Sequence, residues 1–162
     1  MKLPTSLRIL CKANHGAALV ELALLLPVLM LLVVGAIDFG RAYFVYLEVV
    51  SAAHAGAEYG SLHPTDTTGM STAATQSAPN VSNLTVPTAV YGCECSDGSS
   101  YTASCSTVPT CTASAGPPAR ASNVVYRVQV KTQAVYTPLM PWTGIPSSFT
   151  FSNTATIRGN YP

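Results

Sequence analysis

From Leu22 to Ile37 the chain reads LALLLPVLMLLVVGAI, without a charge or a hydrogen-bonding side chain. Adding Ala17–Glu21 (AALVE) in front extends the run to 21 residues with one carboxylate, Glu21. As a helix rising roughly 1.5 Å per residue, the run is about 31 Å long, close to the hydrocarbon thickness of a bilayer. A core helix of a soluble protein needs a polar face, and this run has none. The sequence therefore predicts a single membrane-spanning helix in contact with the lipid bilayer.

Orientation follows from the flanking charges. The first 16 residues carry Lys2, Arg8 and Lys12 and no acid, whereas Asp38 and Arg41 after the run nearly cancel. An excess of basic residues marks the cytoplasmic side. The N-terminus is thus expected in the cytoplasm, with everything after residue 40 outside.

Composition narrows the function. Of 162 residues 9% are charged and 48% hydrophobic, with a net charge of +1. A soluble domain carries about 25% charged residues. Intrinsic disorder driven by charge is excluded, and no basic stripe exists for nucleic acid. No nucleic-acid partner, cofactor or metal is expected. No catalytic constellation is evident either. His54 reads as a helix surface position, His63 has no cysteine or serine motif around it, and Asp66 and Glu94 are expected in loops. An enzyme is not expected. Asn80-Val-Ser and Asn83-Leu-Thr match the glycosylation sequon, a short pattern of low specificity.

Four parts follow: a leader (1–16), a transmembrane helix (17–37), an extracytoplasmic continuation of that helix (38–60), and an extracytoplasmic Ser/Thr/Cys-rich and β domain (61–162). Nothing breaks the helix after residue 37. Phe39, Tyr43, Tyr46, Val50, Ala53 and Ala57 are spaced as one apolar stripe, with Arg41, Glu48, Ser51 and Glu58 on another. Gly60, with Pro64 beyond it, is the expected stop. Pro27 is the expected kink.

Residues 61–122 are expected to be loops with one short strand near 84–91. Residues 124–136 (VVYRVQVKTQAVY) alternate cleanly. Val124, Tyr126, Val128, Val130, Thr132, Ala134 and Tyr136 face one way, and Arg127, Gln129, Lys131 and Gln133 the other. Residues 149–158 repeat the pattern, with Asn153 on the apolar side as a possible bulge. One sheet face needs a cover, and the amphipathic half of the long helix is the obvious one. The expected fold class is α+β: a long N-terminal transmembrane and amphipathic helix packed on a small antiparallel β-sheet, with a disulfide-bonded loop region.

Cys93, Cys95, Cys105 and Cys111 all fall on the oxidising side of this topology. Pairing Cys93 with Cys95 closes a very small ring of poor geometry. Two pairings remain: 93–105 with 95–111, or 93–111 with 95–105. Asp97-Gly98 between them reads as a hairpin turn. Four thiolates can also bind zinc, but the paired CxxC knuckles of such sites are missing. Cys11 lies on the cytoplasmic side and is expected to be free.

Glu21 is the most informative residue. A carboxylate inside an apolar helix costs about 2.5–3.5 kcal/mol on insertion scales; at the cytoplasmic interface it costs little. A cut between Gly16 and Ala17 creates an ammonium four residues before Glu21. On a helix the two can pair, within one chain or between neighbours.

Gly16-Ala-Ala-Leu-Val-Glu21 behind a basic leader resembles a class III prepilin leader. The longer stretch GAALVELALLLPVLMLLVVGAIDFGRAYFVY, with SAAHAGAEYG at 51–60, is similar to the TadE-like family of tight-adherence (Flp) pilus assembly. So is VQVKTQAVYTPLMP with the Thr-rich strand ending at Ile157-Arg158. The resemblance implies cleavage after Gly16 by a prepilin peptidase, and partners among other pilins, pseudopilins and pilus assembly proteins. The major pilins of these systems are shorter and have Tyr after the glutamate, where this chain has Leu22. The resemblance therefore implies a minor pseudopilin. The family often has Arg at the positions of His54 and Glu58. Two other readings stand beside it. One is a secreted protein cut at Val34-Gly35-Ala36 by a signal peptidase. The other is an uncleaved single-pass membrane protein with a disulfide-bonded, partner-binding domain.

Overall fold

The computed structural model describes residues 15–111, 123–140, 144 and 146–160. Most of the leader, with Lys2, Arg8, Cys11 and Lys12, lies outside the described residues. The chain divides into two compact units, Met1–Arg41 and Ala42–Pro162. Helix α1, His15–Leu62, contributes to both.

In the first unit α1 carries Pro27 in its interior. Among the described residues its apolar side chains are mostly exposed; Leu24 is 72% and Leu32 61% exposed. At the end of this unit Asp38 is buried, and Arg41 lies 3.8 Å from its carboxylate, one helical turn on.

The second unit contains helix α2, Thr67–Gln76, and strands β1 (Thr85–Cys95), β2 (Tyr101–Thr102), β3 (Val124–Tyr136) and β4 (Phe149–Asn160). The strands form one antiparallel sheet in the order β2-β1-β3-β4. The α+β class expected from the sequence is the class observed. Strand β3 lies between β1 and β4, and its alternation is the one read from the sequence. Val128, Val130, Thr132, Ala134 and Tyr136 are buried, while Gln129, Lys131 and Gln133 are only partly covered. Ala53 and Ala57 of α1 pack with Met70 and Ala74 of α2 against Val128, Val130 and Ala155. A second cluster joins Val49 to Val81 and Ala134. Two hydroxyls of β3 fasten the helix to the sheet. Thr132 donates to the Val49 carbonyl at 2.7 Å, and Tyr126 donates to the Ser61 carbonyl at 2.6 Å. The Ser61 bond satisfies a carbonyl that the helix end would leave unpaired.

Several expectations are corrected. The docking face of α1 is Val49, Ala52, Ala53, Gly56, Ala57 and Gly60, all buried. It shares Ala53 and Ala57 with the expected apolar stripe; Tyr46 of that stripe meets the Phe151 ring edge-on at 6.0 Å, while Phe39 and Tyr43 are exposed. Small side chains let the helix backbone approach the sheet, and aromatic ones would hold it away. Gly60 is not the stop, because α1 continues to Leu62. A Cβ at Gly60 would lie 2.5 Å from Val128 Cγ1 and 2.9 Å from Met70 Cε. The glycine is needed for close packing. Asn153 marks no bulge, since it pairs with Thr132 in an unbroken register. The irregularity lies in β1, between Thr85 and Thr88. Pro87 sits there, and proline has no N–H for the ladder.

Within the loop expected over 61–122, residues 67–76 are a helix and residues 85–95 and 101–102 are strands, while 112–122 lie outside the described residues. Helix α2 begins at the N-cap Asp66, whose Oδ1 accepts from the Gly69 N–H at 2.8 Å. Its Ser71, Thr72 and Thr75 hydroxyls donate to carbonyls four residues earlier. Such residues favour caps over helix interiors, so burial of Met70 and Ala74 is what holds this helix. The short strand expected near 84–91 is the 11-residue β1. Asp97-Gly98 does form the hairpin turn: Gly98 has φ +76° and its N–H donates to the Cys95 carbonyl at 2.7 Å. A positive φ of that size favours glycine.

Candidate functional site

Two sites stand out, one in each unit. In the first unit, Gly16 and Ala17 lie in the first turn of α1. Gly16 is exposed, and a Cβ there would meet only open space. Glu21 follows one turn later, also exposed, and no described residue pairs with it. Beyond it α1 is long and apolar enough to cross a membrane by length and composition. Val34-Gly35-Ala36, the alternative cleavage site, lies inside the same unbroken helix. An exposed apolar surface this continuous needs lipid or other apolar surfaces to cover it.

Residues 16–58 match the family model of TadE-like protein. Over that stretch the chain is similar to TadE-like protein. The match opens at Gly16 and takes in Glu21, the apolar run and most of the helix that docks on the sheet. The sheet lies outside the matched residues. No curated protein matches the chain, and no solved structure does.

The second site is on the sheet. Cys93 bonds Cys105 and Cys95 bonds Cys111, with Cα separations of 5.0 and 5.5 Å. Of the two pairings left open by spacing, this is the first. All four sulfurs are consumed, so no thiolate set remains for zinc. Among the described residues no group of three His, Cys, Asp or Glu is placed to hold a metal ion.

Glu94 lies between the two bonded cysteines of β1, not in a loop as expected, and is buried. Side chains alternate along a strand, so Cys93 and Cys95 face one side and Glu94 the other. There its carboxylate meets two guanidinium groups. Arg158 Nε of β4 donates to one oxygen, and Arg127 Nη1 of β3 lies 3.5 Å from the other. The Arg127 guanidinium also stands 5.1 Å from the centre of the Tyr101 ring on β2, a cation–π distance. One acid thus ties all four strands near the disulfides. The signal was present in the sequence: Cys-Glu-Cys in a strand puts the acid on the face opposite the sulfurs.

A third polar cluster joins the two helices. The Tyr59 hydroxyl donates to Asp66 Oδ2 at 2.9 Å, and His63 stacks on the Tyr59 ring at 4.7 Å. Asp66 is held below its ordinary carboxyl range, first by the Gly69 N–H and then by the Tyr59 hydroxyl. The same bond to Asp66 pushes Tyr59 above its ordinary value. His54 is exposed on α1, as expected.

Proposed function

We propose that this protein is a minor pseudopilin of a Tad/Flp-type pilus system, acting in pilus assembly or initiation. The observation that carries the reading is the uncovered apolar half of α1, with its single carboxylate at Glu21, inside the stretch similar to TadE-like proteins. The basic leader holds the N-terminus in the cytoplasm while the helix inserts in the bacterial inner membrane as a single pass. A prepilin peptidase cuts between Gly16 and Ala17, leaving an ammonium at Ala17. Glu21 then pairs with that ammonium, its own or a neighbour's, as the helix packs among other pilin-like helices. Pairing offsets the cost of a carboxylate in hydrocarbon. The leaving of residues 1–16 and the lateral packing need no chemistry from this chain, and the protein is not an enzyme.

In this reading the periplasmic or fibre-borne domain supplies the specific contact with assembly proteins. Its two disulfides suit an oxidising compartment. Glu21→Ala tests the reading. The variant is expected to insert in the membrane normally and to fail to co-purify with sheared or detergent-extracted pilus assemblies. Normal incorporation of the variant would end the role assigned to Glu21.

A further inference from the structure

We infer that the outer edge of β4 is a self-association surface, on which a second copy of this chain adds its own β4 antiparallel. This rests on the sheet alone and is independent of the pseudopilin reading.

The two edges of the sheet differ sharply. On one side the edge strand β2 is two residues long, lies beyond a tight turn, and is followed by the disulfide-anchored segment that carries Cys105 and Cys111. β2 covers only Cys93 and Glu94, and the rest of the β1 edge is blunted by Pro87 and by the irregularity between Thr85 and Thr88. On the other side β4 pairs with β3 in continuous register from Phe149 to Asn160. Among the described residues no strand pairs with its far side. An edge strand presents a row of unpaired N–H and C=O groups, and proteins blunt such edges with proline, bulges, charges or short length. Strand β4 (FTFSNTATIRGN) has 12 residues, no proline, no bulge and one charge, Arg158.

The sequence of β4 also fits itself. When two copies cross antiparallel at Thr154, Thr156 faces Ser152 of the second copy. Arg158 then faces Thr150, so the two guanidinium groups are far apart. On the helix-covered face Phe151 comes opposite Ile157, and Asn153 opposite Ala155. Hydroxyl pairs and aromatic–β-branched pairs are favourable cross-strand neighbours, whereas like charges directly opposite are not. The exposed positions Thr150, Ser152, Thr154 and Thr156 are thus neutral where a two-fold contact requires it. A strand rich in Thr with this little charge is a suitable template for strand addition.

The test uses the full-length chain in mild detergent, with self-association read by sedimentation. The wild type is expected to form a dimer. Thr154→Lys sets two ammonium groups against each other and is expected to weaken that dimer at least about tenfold, a factor equivalent to about 1.4 kcal/mol. Thr154→Glu does the same. Mixing the Lys and Glu variants is expected to restore association as a heterodimer, which neither forms alone. The side chain at 154 is exposed, so both variants should keep the disulfides and the wild-type circular dichroism. A monomeric wild type overturns the proposal. So does a dimer indifferent to Thr154→Lys, or a mixture that stays monomeric. Dimerisation through the apolar helix would give the second of these results.

Discussion

Removing Glu94 should destabilise the outer domain far more than removing the arginine that bonds it. The Glu94 side chain is 4% exposed, Arg127 27% and Arg158 56%. Breaking a buried ion pair by deleting one partner costs about 3–5 kcal/mol, because the remaining charge is stranded. Here the two stranded cations differ. Arg158 is mostly in water already and behaves as a surface partner, worth about 0–1 kcal/mol. Arg127 cannot turn out as readily: its Nε is buried without a partner, and its guanidinium is held over Tyr101. Glu94→Ala is therefore expected near the low end of the buried range, about 3 kcal/mol. Arg158→Ala leaves Glu94 paired with Arg127 and is expected to cost about 1 kcal/mol or less. Urea unfolding of the full chain in mild detergent, disulfides intact, measures both. Added salt should erase the Arg158 effect and leave most of the Glu94 effect, since exposed pairs are screened and buried ones much less so. Equal losses for the two variants would refute the argument that burial of Glu94 decides the energetics.

Gly60→Ala places a methyl 2.5 Å from Val128 Cγ1, on a stiff β-branched side chain of the central sheet. Overpacking of this kind costs about 1–3 kcal/mol, and the gain in helix propensity returns about 1. The net loss is expected to reach about 2 kcal/mol, whereas Gly40→Ala, where a Cβ meets open space, should be neutral or stabilising in the same assay. Asp66 gives a pH dependence. Its folded value is depressed, so its contribution is complete above the unfolded value of about 3.9 and is lost as pH falls through the folded value. Asp66→Asn keeps the cap and removes the titration. The unfolding midpoints of wild type and variant should therefore converge as the pH falls below about 4, and a constant gap would contradict the assignment.

The sheet was legible where one rule acted alone. In β3 the alternation of Val128, Val130, Thr132 and Ala134 against Gln129, Lys131 and Gln133 follows from half-burial, and the structure keeps it to the residue. In α1 the large apolar side chains Phe39 and Tyr43, at helical spacing, point away from the docking face. Close approach instead selects Ala52, Gly56 and Gly60, residues that hydropathy hardly weighs. Helix α2 escaped notice because TTGMSTAATQ has poor intrinsic propensity. Met70 and Ala74 make it helical only once α1 and the sheet are there to bury them. At the sheet site, Arg127 and Arg158 were readable as polar-face residues. Cys93-Glu94-Cys95 marks Glu94 for the face opposite the sulfurs, but strand register alone brings the three together. Gly16, Ala17 and Glu21 were visible in sequence as a pattern. Their pairing needs an ammonium at Ala17, which only a cut after Gly16 would create.

That pairing is tested most directly by N-terminal sequencing of the protein recovered from cell envelopes. A first residue of Ala17 is the result expected if Glu21 is to meet a new ammonium one helical turn away. A chain that still begins at Met1, or one that begins at Ile37, would contradict it.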